Sequence, residues 1–180
     1  MAVHPIDSAI FGSAWASEEV RALFTDEART RGWCEILAVL AEEEAALGLV
    51  PPDAAAEIAR VMRGPLPDLE AVRRETAETK HSLLGLMRVQ ARRCQGNAGE
   101  WIGYGATVQD VVDTWYVRTL LAVADLAERD LGAIEARLVA LAREHRSTPM
   151  LGRTHGQAGL PITFGYKVAV WIDELRRHRQ

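Results

Sequence analysis

Three short polar clusters in this sequence carry residue types that can hold an acidic ligand and move a proton. The first, Gly105-Ala106-Thr107-Val108-Gln109-Asp110, stands at the predicted start of a long helix. The second, Gly152-Arg153-Thr154-His155-Gly156-Gln157, lies between two predicted helices. The third, Thr79-Lys80-His81-Ser82, lies inside a helical stretch between two glycine breaks. Hydroxyl, imidazole and guanidinium groups at such places are candidates for ligand binding.

The first cluster admits two interpretations. Free backbone N–H groups at a helix N-terminus attract anions, and the Thr107 hydroxyl adds another donor. Thr107 and Asp110 also form a capping-box-like T-x-x-D, which would satisfy the helix end without a ligand. The two interpretations can coexist, because a capping threonine can still face a ligand.

The histidines of the other two clusters are candidates of the same kind. His155, flanked by glycine and by hydroxyl and amide groups, suits proton transfer near a bound carboxylate. Arg153 can pair with a carboxylate through two hydrogen bonds, or it can form a structural ion pair. His81 can line a site or be a partly exposed helix residue with partners of its own. His4, His145 and His178 are predicted to be surface or packing residues.

The apolar pattern that must position these residues predicts helices almost throughout and no β-sheet. Ser17 is predicted to cap a short helix from Glu18 to Phe24, and Thr25 to open a longer helix that Gly48 and Pro51-Pro52 stop. Further helices are predicted over about 53–62 and, as one or two helices, over 68–95. The five tryptophans, including Trp33, Trp101, Trp115 and Trp171, fit helical core spacing.

The second half of the chain predicts one helix of about forty residues, on the order of 60 Å long, from Thr107 to about Arg146. Its apolar stripe is too long for two helices to cover, so we expect the rest of the polypeptide or other subunits to cover it. Ser147 to Pro161 is predicted to be a loop. A last helix starts near Thr163 and is predicted to run on at Gln180, so the chain reads as part of a longer one. The apolar stripe of the forty-residue helix consists of Leu120, Ala124, Ala127, Leu131, Ile134, Leu138, Leu141 and His145.

Composition narrows the class of protein. The 180 residues are 48% apolar and 26% charged with a net charge of −4, which is typical of one or two globular domains. Because there is no basic block, the sequence argues against nucleic-acid binding. A signal-peptide pattern and a membrane-spanning apolar run are both missing, which favours a cytoplasmic protein. Cys34 and Cys94 have no metal-type spacing.

The order of the clusters resembles a known enzyme superfamily. Thr148–Lys167 is similar to the second signature region of the fumarase/aspartase lyases, and Tyr104–Thr114 to the first. Thr25–Arg29 and the helix after it look like the N-terminal domain of those proteins. The chain is therefore identified as the N-terminal portion of a member, in the branch of adenylosuccinate lyase and 3-carboxy-cis,cis-muconate cycloisomerase.

The resemblance implies an all-α fold: an N-terminal helical domain over residues 1–106, then the start of a long-helix bundle over 107–180. It implies a homotetramer whose active sites draw on three subunits, a small-molecule polycarboxylate substrate, no nucleic acid, no membrane, and no metal or organic cofactor. The implied reaction is an anti-elimination that usually yields fumarate. A base removes a proton next to a carboxylate, and an acid protonates the leaving group.

Motif positions then imply residue roles. His155 would be the catalytic acid, Thr107 and Thr154 would hold substrate carboxylates, and His81 would match the T-x-H element that lines the site. The remaining predicted substrate-binding residues are Gln109, Arg153 and Gln157.

The sequence departs from this branch in ways that bear on the substrate. Gly103 stands where the branch usually has histidine, and Val108 replaces a serine. The opening Ile6–Gly12 has no Arg-Tyr pair for a nucleotide phosphate and resembles the cycloisomerase-like members, which argues against a purine nucleotide.

The third signature, a serine-rich loop with the catalytic base, does not occur in these residues, so we expect the 180-residue chain alone to be inactive. A β-elimination lyase is the leading prediction. A cycloisomerase and a non-catalytic helical oligomerisation protein are the alternatives.

Overall fold

The computed structural model of the chain describes residues 4–179. It divides into two compact units, residues 1–120 and 121–180, and each is described by itself. Within residues 4–179 the secondary structure consists of seven α-helices, three 3-10 turns and one two-stranded antiparallel sheet, which confirms the predicted mainly helical fold. No helix of the described part of the chain is long and apolar enough to cross a membrane.

The first unit contains five whole helices and the start of a sixth, much longer one. Two of the predicted caps are present: the Ser17 hydroxyl accepts the N–H of Val20 at 3.3 Å, and the Thr25 hydroxyl accepts the N–H of Ala28 at 3.1 Å. Gly48, with φ +75°, follows the second helix in the left-handed conformation that glycine adopts readily. The helices are α1 (Glu18–Leu23), α2 (Asp26–Ala46), α3 (Pro52–Arg63), α4 (Leu69–Thr79), α5 (Leu84–Ala91) and α6 (Val108–Glu144).

The core of this unit lies between α2, α3, α5 and the beginning of α6. Its fully buried members recur at helical spacing, as Cys34, Leu37, Ala38 and Ala41 do on α2. Val111 joins them from the first turn of α6, so the start of the long helix is anchored in the same core. Residues 103–110, which hold the first polar cluster, are therefore attached to a packed scaffold.

The second unit shows a difference from the sequence prediction. Residues 149–163, predicted to be mostly loop, form a β-hairpin of β1 (Pro149–Thr154) and β2 (Gln157–Thr163), followed by α7 (Phe164–His178). The strands are almost wholly exposed, so they lack the alternation of apolar and polar residues by which a strand is recognised in a sequence. Gln180, where the last helix was predicted to continue, lies outside the described residues.

Close packing joins α7 to the later part of α6. A Cβ on Gly165 would lie 2.6 Å from the Ala142 carbonyl oxygen, so the missing side chain lets the two helices meet. The Arg176 guanidinium donates to the Glu135 carboxylate at 2.6 Å, and Arg179 bonds both Glu135 and Glu128. Val168 and Ile172 are buried on the inner face of α7.

The tryptophan prediction holds only in part. Trp115 is buried, and Trp33 and Trp101 pack against the core cluster. Trp15 is 65% exposed, and Trp171 is 44% exposed and lies under the Lys167 ammonium, 5.3 Å from its ring centre. The assignment of these two tryptophans to the core is wrong. Helical spacing predicts which side of a helix faces the core. Trp171 lies at the edge of the α7 side on which Val168 and Ile172 are buried.

Candidate active site

The predicted site residues fall into two groups, one in each unit. His81 and Thr107 line a single cavity of about 260 Å³ in the first unit, together with Gly103 and Val108, the two positions at which the sequence departs from its branch. Arg153, Thr154, His155 and Gln157 lie together on the hairpin of the second unit. Gln109 lies on the exposed first turn of α6, where its amide donates to the Asp113 carboxylate at 2.6 Å.

The turn between α4 and α5 positions His81. Lys80 ends α4 with φ +54°, and the chain reverses there. The helices can then approach closely because Gly85 has no side chain: a Cβ there would lie 2.7 Å from the Thr76 nitrogen. His81 Nδ1 accepts the N–H of Leu84 at 3.1 Å. In the neutral ring the proton must therefore be on Nε2, which leaves one N–H donor for a ligand.

The first turn of α6 positions Thr107. The Asp110 carboxylate accepts the Thr107 N–H at 2.9 Å, which is one half of the predicted capping box. The Thr107 hydroxyl makes no hydrogen bond within residues 4–179, and the side chain is exposed at the cavity. The cap therefore uses the backbone of Thr107 and the side chain of Asp110, and the hydroxyl is left for a ligand.

The hairpin turn determines where the second cluster points. Thr154 pairs with Gln157, so His155 and Gly156 form a two-residue turn. Their φ angles are +47° and +76°, as a type I′ turn requires of both residues. Glycine adopts this conformation readily, whereas histidine does so at some cost in energy. The imidazole is thereby placed at the exposed tip, where it makes no hydrogen bond within residues 4–179.

An irregularity in the strands lies just before this turn. The register shifts between Leu151 and Arg153, so that Gly152 faces two residues of β2. A Cβ on Gly152 would lie 2.5 Å from the Leu160 carbonyl oxygen, so glycine is needed there. Such a bulge turns the strand locally and changes the direction of the side chains that follow, here Arg153 and Thr154.

Sequence reasoning missed the apolar wall of the cavity. Leu37 of α2 and Met87 of α5 lie opposite Gly103, and Leu83 and Val111 add further apolar surface. The available signal was the spacing of Leu83, which immediately precedes α5, and Met87 within it, because residues four apart lie on the same side of a helix. Which of them borders a cavity depends on the tertiary arrangement.

Comparison with known proteins places this arrangement in a family. A family model described as "Lyase" matches residues 14–180. The chain belongs to this lyase family. It is the N-terminal portion of a member of the fumarase/aspartase superfamily, as the signature regions predicted.

Three members of the superfamily show how close the likeness is. The chain is 40% identical over 178 residues to N-acetyl-S-(2-succino)cysteine lyase of Enterococcus italicus, covering 99% of this chain and 39% of that enzyme. It is 36% identical to adenylosuccinate lyase of Methanocaldococcus jannaschii, covering 99% and 37%. The crystal structure of 3-carboxy-cis,cis-muconate lactonizing enzyme from Pseudomonas putida superposes with a TM-score of 0.88 at 33% identity, over 96% of this chain and 40% of that one.

The chain thus spans about two fifths of the length of the curated relatives that it matches. The three relatives belong to the same superfamily, but their names state different substrates. The comparisons therefore establish the family of the chain and leave its substrate open.

Proposed function

We propose that the full-length protein is a β-elimination lyase acting on a succinyl-type polycarboxylate and releasing fumarate or a related unsaturated acid. The proposal rests on two polar groups in the regions similar to the two lyase signatures, neither of which has a hydrogen-bond partner among residues 4–179. These are the Thr107 hydroxyl at the start of α6 and the His155 imidazole at the tip of the hairpin.

The proposed roles follow from the chemistry of the groups. A base removes the proton from the carbon next to a carboxylate, the electron pair forms the C=C bond, and the bond to the leaving group breaks. In the proposal His155 gives its proton to the leaving group, and Thr107, Thr154 and Arg153 hold carboxylate oxygens. Gln109, Gln157 and His81 are proposed as further polar contacts. None of the described residues is assigned as the base, and other subunits of a homotetramer are proposed to complete the site.

The lining of the cavity in the first unit argues against a leaving group that carries a phosphate. Gly103 provides no imidazole, and the ten residues that line the cavity, all within 4–179, include no lysine or arginine for a phosphate. A succinyl thioether, the kind of compound named for the Enterococcus relative, meets these conditions better than a purine nucleotide.

A product assay tests the proposal. Purified full-length protein is incubated with N-acetyl-S-(2-succino)cysteine and with adenylosuccinate, and fumarate is measured. We expect release from the thioether and a much lower kcat/KM with the nucleotide. The matched control is His155→Ala, which should lose turnover and keep its oligomeric state. Absence of fumarate with every succinyl substrate would refute the elimination.

The second candidate is a cycloisomerase that closes or opens a lactone on a carboxymuconate. It is favoured by the TM-score of 0.88 with the muconate lactonizing enzyme and by the opening Ile6–Gly12. Lactone formation from 3-carboxy-cis,cis-muconate, without fumarate release from any succinyl compound, would establish it. A biological activity left unchanged by His155→Ala would instead support the non-catalytic oligomerisation protein.

A further inference from the structure

Gly103 and Met87 both line the cavity in the first unit, and the end of the Met87 side chain packs against Gly103. A Cβ built on Gly103 would lie 3.0 Å from Met87 Cε, 3.5 Å from Leu37 Cδ2 and 3.8 Å from Met87 Sδ. The backbone of Gly103 has φ +71°, which side chains other than glycine rarely adopt. Residue 103 thus has no side chain, and the end of the Met87 side chain occupies the space beside it.

The lining of the cavity combines two polar side chains with an otherwise apolar wall. His81 and Thr107 supply the donors, and the rest of the wall is aliphatic or glycine. A ligand whose carboxylate binds at Thr107 therefore has its other substituent directed against hydrocarbon. Met87 is the largest flexible side chain in that wall, and its three rotatable bonds let it adapt to what it contacts.

We propose that Met87 is a specificity-determining residue. Its side chain limits the depth of the apolar part of this cavity and so restricts the size of the apolar substituent that can occupy it. The inference rests on the proposed function, because it takes this cavity as part of the substrate site.

A different role for Met87 would be simple packing, since it lies against the core cluster that includes the buried Leu83 and Leu86. The two roles differ in what truncation changes. Loss of packing lowers stability and weakens all ligands alike, whereas a limit on depth changes the order in which ligands of different size bind. A size series of ligands therefore separates them.

The experiment measures dissociation constants by calorimetry with S-methyl, S-propyl and S-benzyl mercaptosuccinate. The full-length protein carries His155→Ala, so that the ligands are not turned over during the titration, and the Met87 substitutions are added to it. With Met87 intact we expect the S-methyl compound to bind tightest. In Met87→Ala the preference should move toward the larger compounds by roughly tenfold, the discrimination that a methylene or two provides in an apolar pocket. Met87→Leu keeps the volume and should keep the order found with Met87 intact.

Val89→Ala is the matched control, because Val89 is buried on the same helix but outside the cavity lining. It should lower stability without altering the size order. Met87→Val is a milder truncation for use where the alanine variant does not fold, and it should shift the order in the same direction. An unchanged order in both Met87 truncations would overturn the proposal, as would a protein with Met87 intact that shows no size preference or binds none of the compounds.

Fumarate release, measured in parallel with His155 intact, separates this proposal from the proposed function. A shifted binding order without fumarate would retain Met87 as the size limit of a ligand site and reject the elimination. Fumarate release with an unshifted order would retain the elimination and reject the role of Met87.

Discussion

The indole ring of Trp115 occupies the space that a side chain on Gly32 would need. A Cβ on Gly32 would lie 2.7 Å from Trp115 Nε1 and closer still to Cδ1. Trp115, 4% exposed, also contacts Phe24 and Trp33 edge-on, with ring centres 6.1 and 6.4 Å away, and lies under the Arg29 guanidinium. Gly32 thus lets α2 and the start of α6 approach closely, which positions the first turn of α6 and Thr107.

Gly32→Ala should therefore lower the free energy of unfolding. Alanine favours a helix by about 1 kcal/mol over glycine, but overpacking of a closed contact costs about 1–3 kcal/mol. We expect a net loss of up to about 2 kcal/mol by chemical denaturation. Gly132→Ala is the control: its Cβ would meet only the flexible Arg179 at 3.6 Å, so the helix preference should prevail and raise stability by up to about 1 kcal/mol. Equal effects of the two substitutions would contradict the steric explanation.

His155 can be tested without disturbing the turn that carries it. Asparagine tolerates the left-handed conformation better than most residues, so His155→Asn should retain the hairpin while removing the imidazole. We expect kcat for fumarate release to fall by about 10²–10⁴-fold, the usual contribution of a general acid. Hydrogen exchange of the β1 and β2 amides should be unchanged. A His155→Asn variant with wild-type kcat would remove His155 from the mechanism.

Much of the helical scaffold could be predicted because its signals are local. The hydroxyl caps at Ser17 and Thr25 and the glycine after α2 each act within one helical turn, so that sequence spacing identified them. The long helix was predicted as Thr107 to about Arg146 and is observed as Val108–Glu144. A pattern of this length leaves little room for another structure.

The hairpin and the cavity could not be predicted in the same way. The strands bury almost nothing, so they show no period of two, and the turn uses His155 where asparagine or aspartate would be the recognisable residue. The Met87–Gly103 contact joins residues sixteen apart in sequence, across α5 and the turn before α6. Such contacts depend on tertiary packing and leave no periodic signal.

Glu57 should make stability depend on acid pH. The Arg60 guanidinium, together with the N–H of Gln95 at 2.9 Å, lowers the pKa of the Glu57 carboxyl from 4.5 to about 2. Because the folded pKa is depressed, the stabilisation is present above about pH 4.5 and is lost as pH falls toward 2. Glu57→Gln should reduce the dependence of the urea unfolding midpoint on pH over that range. Exposed Glu43, which forms no ion pair within residues 4–179, is the control, and Glu43→Gln should keep the wild-type slope.

The carboxyl of Glu44 should change the pH dependence of stability in the direction opposite to that of Glu57. Glu44 is 8% exposed, its Oε2 has no hydrogen-bond partner within residues 4–179, and burial raises the pKa of its carboxyl. A raised folded pKa favours the folded state below the unfolded pKa, and that contribution is lost as pH rises through the folded value. Glu44→Gln should therefore raise the melting temperature at pH 7 by a few degrees, about what 1 kcal/mol produces. The gain should diminish as pH falls through the raised folded pKa toward 4.5, the ordinary pKa of the carboxyl. A variant less stable than wild type at pH 7 would show that the charge is compensated.

Substitutions of Thr107 and Asp110 can separate the helix-capping role of the α6 N-terminus from its proposed ligand-binding role. The cap bond runs from the Thr107 backbone to the Asp110 carboxylate, so Thr107→Val should leave stability nearly unchanged. It removes the hydroxyl, however, and a lost hydrogen bond to a charged carboxylate should raise KM by roughly 10- to 100-fold. Asp110→Ala should do the reverse, with about 1 kcal/mol less stability and a small change in KM. Thr107→Ser is the matched control and should retain both. If Thr107→Val lowered stability and left KM unchanged, Thr107 would serve the helix alone, and the carboxylate would need another donor.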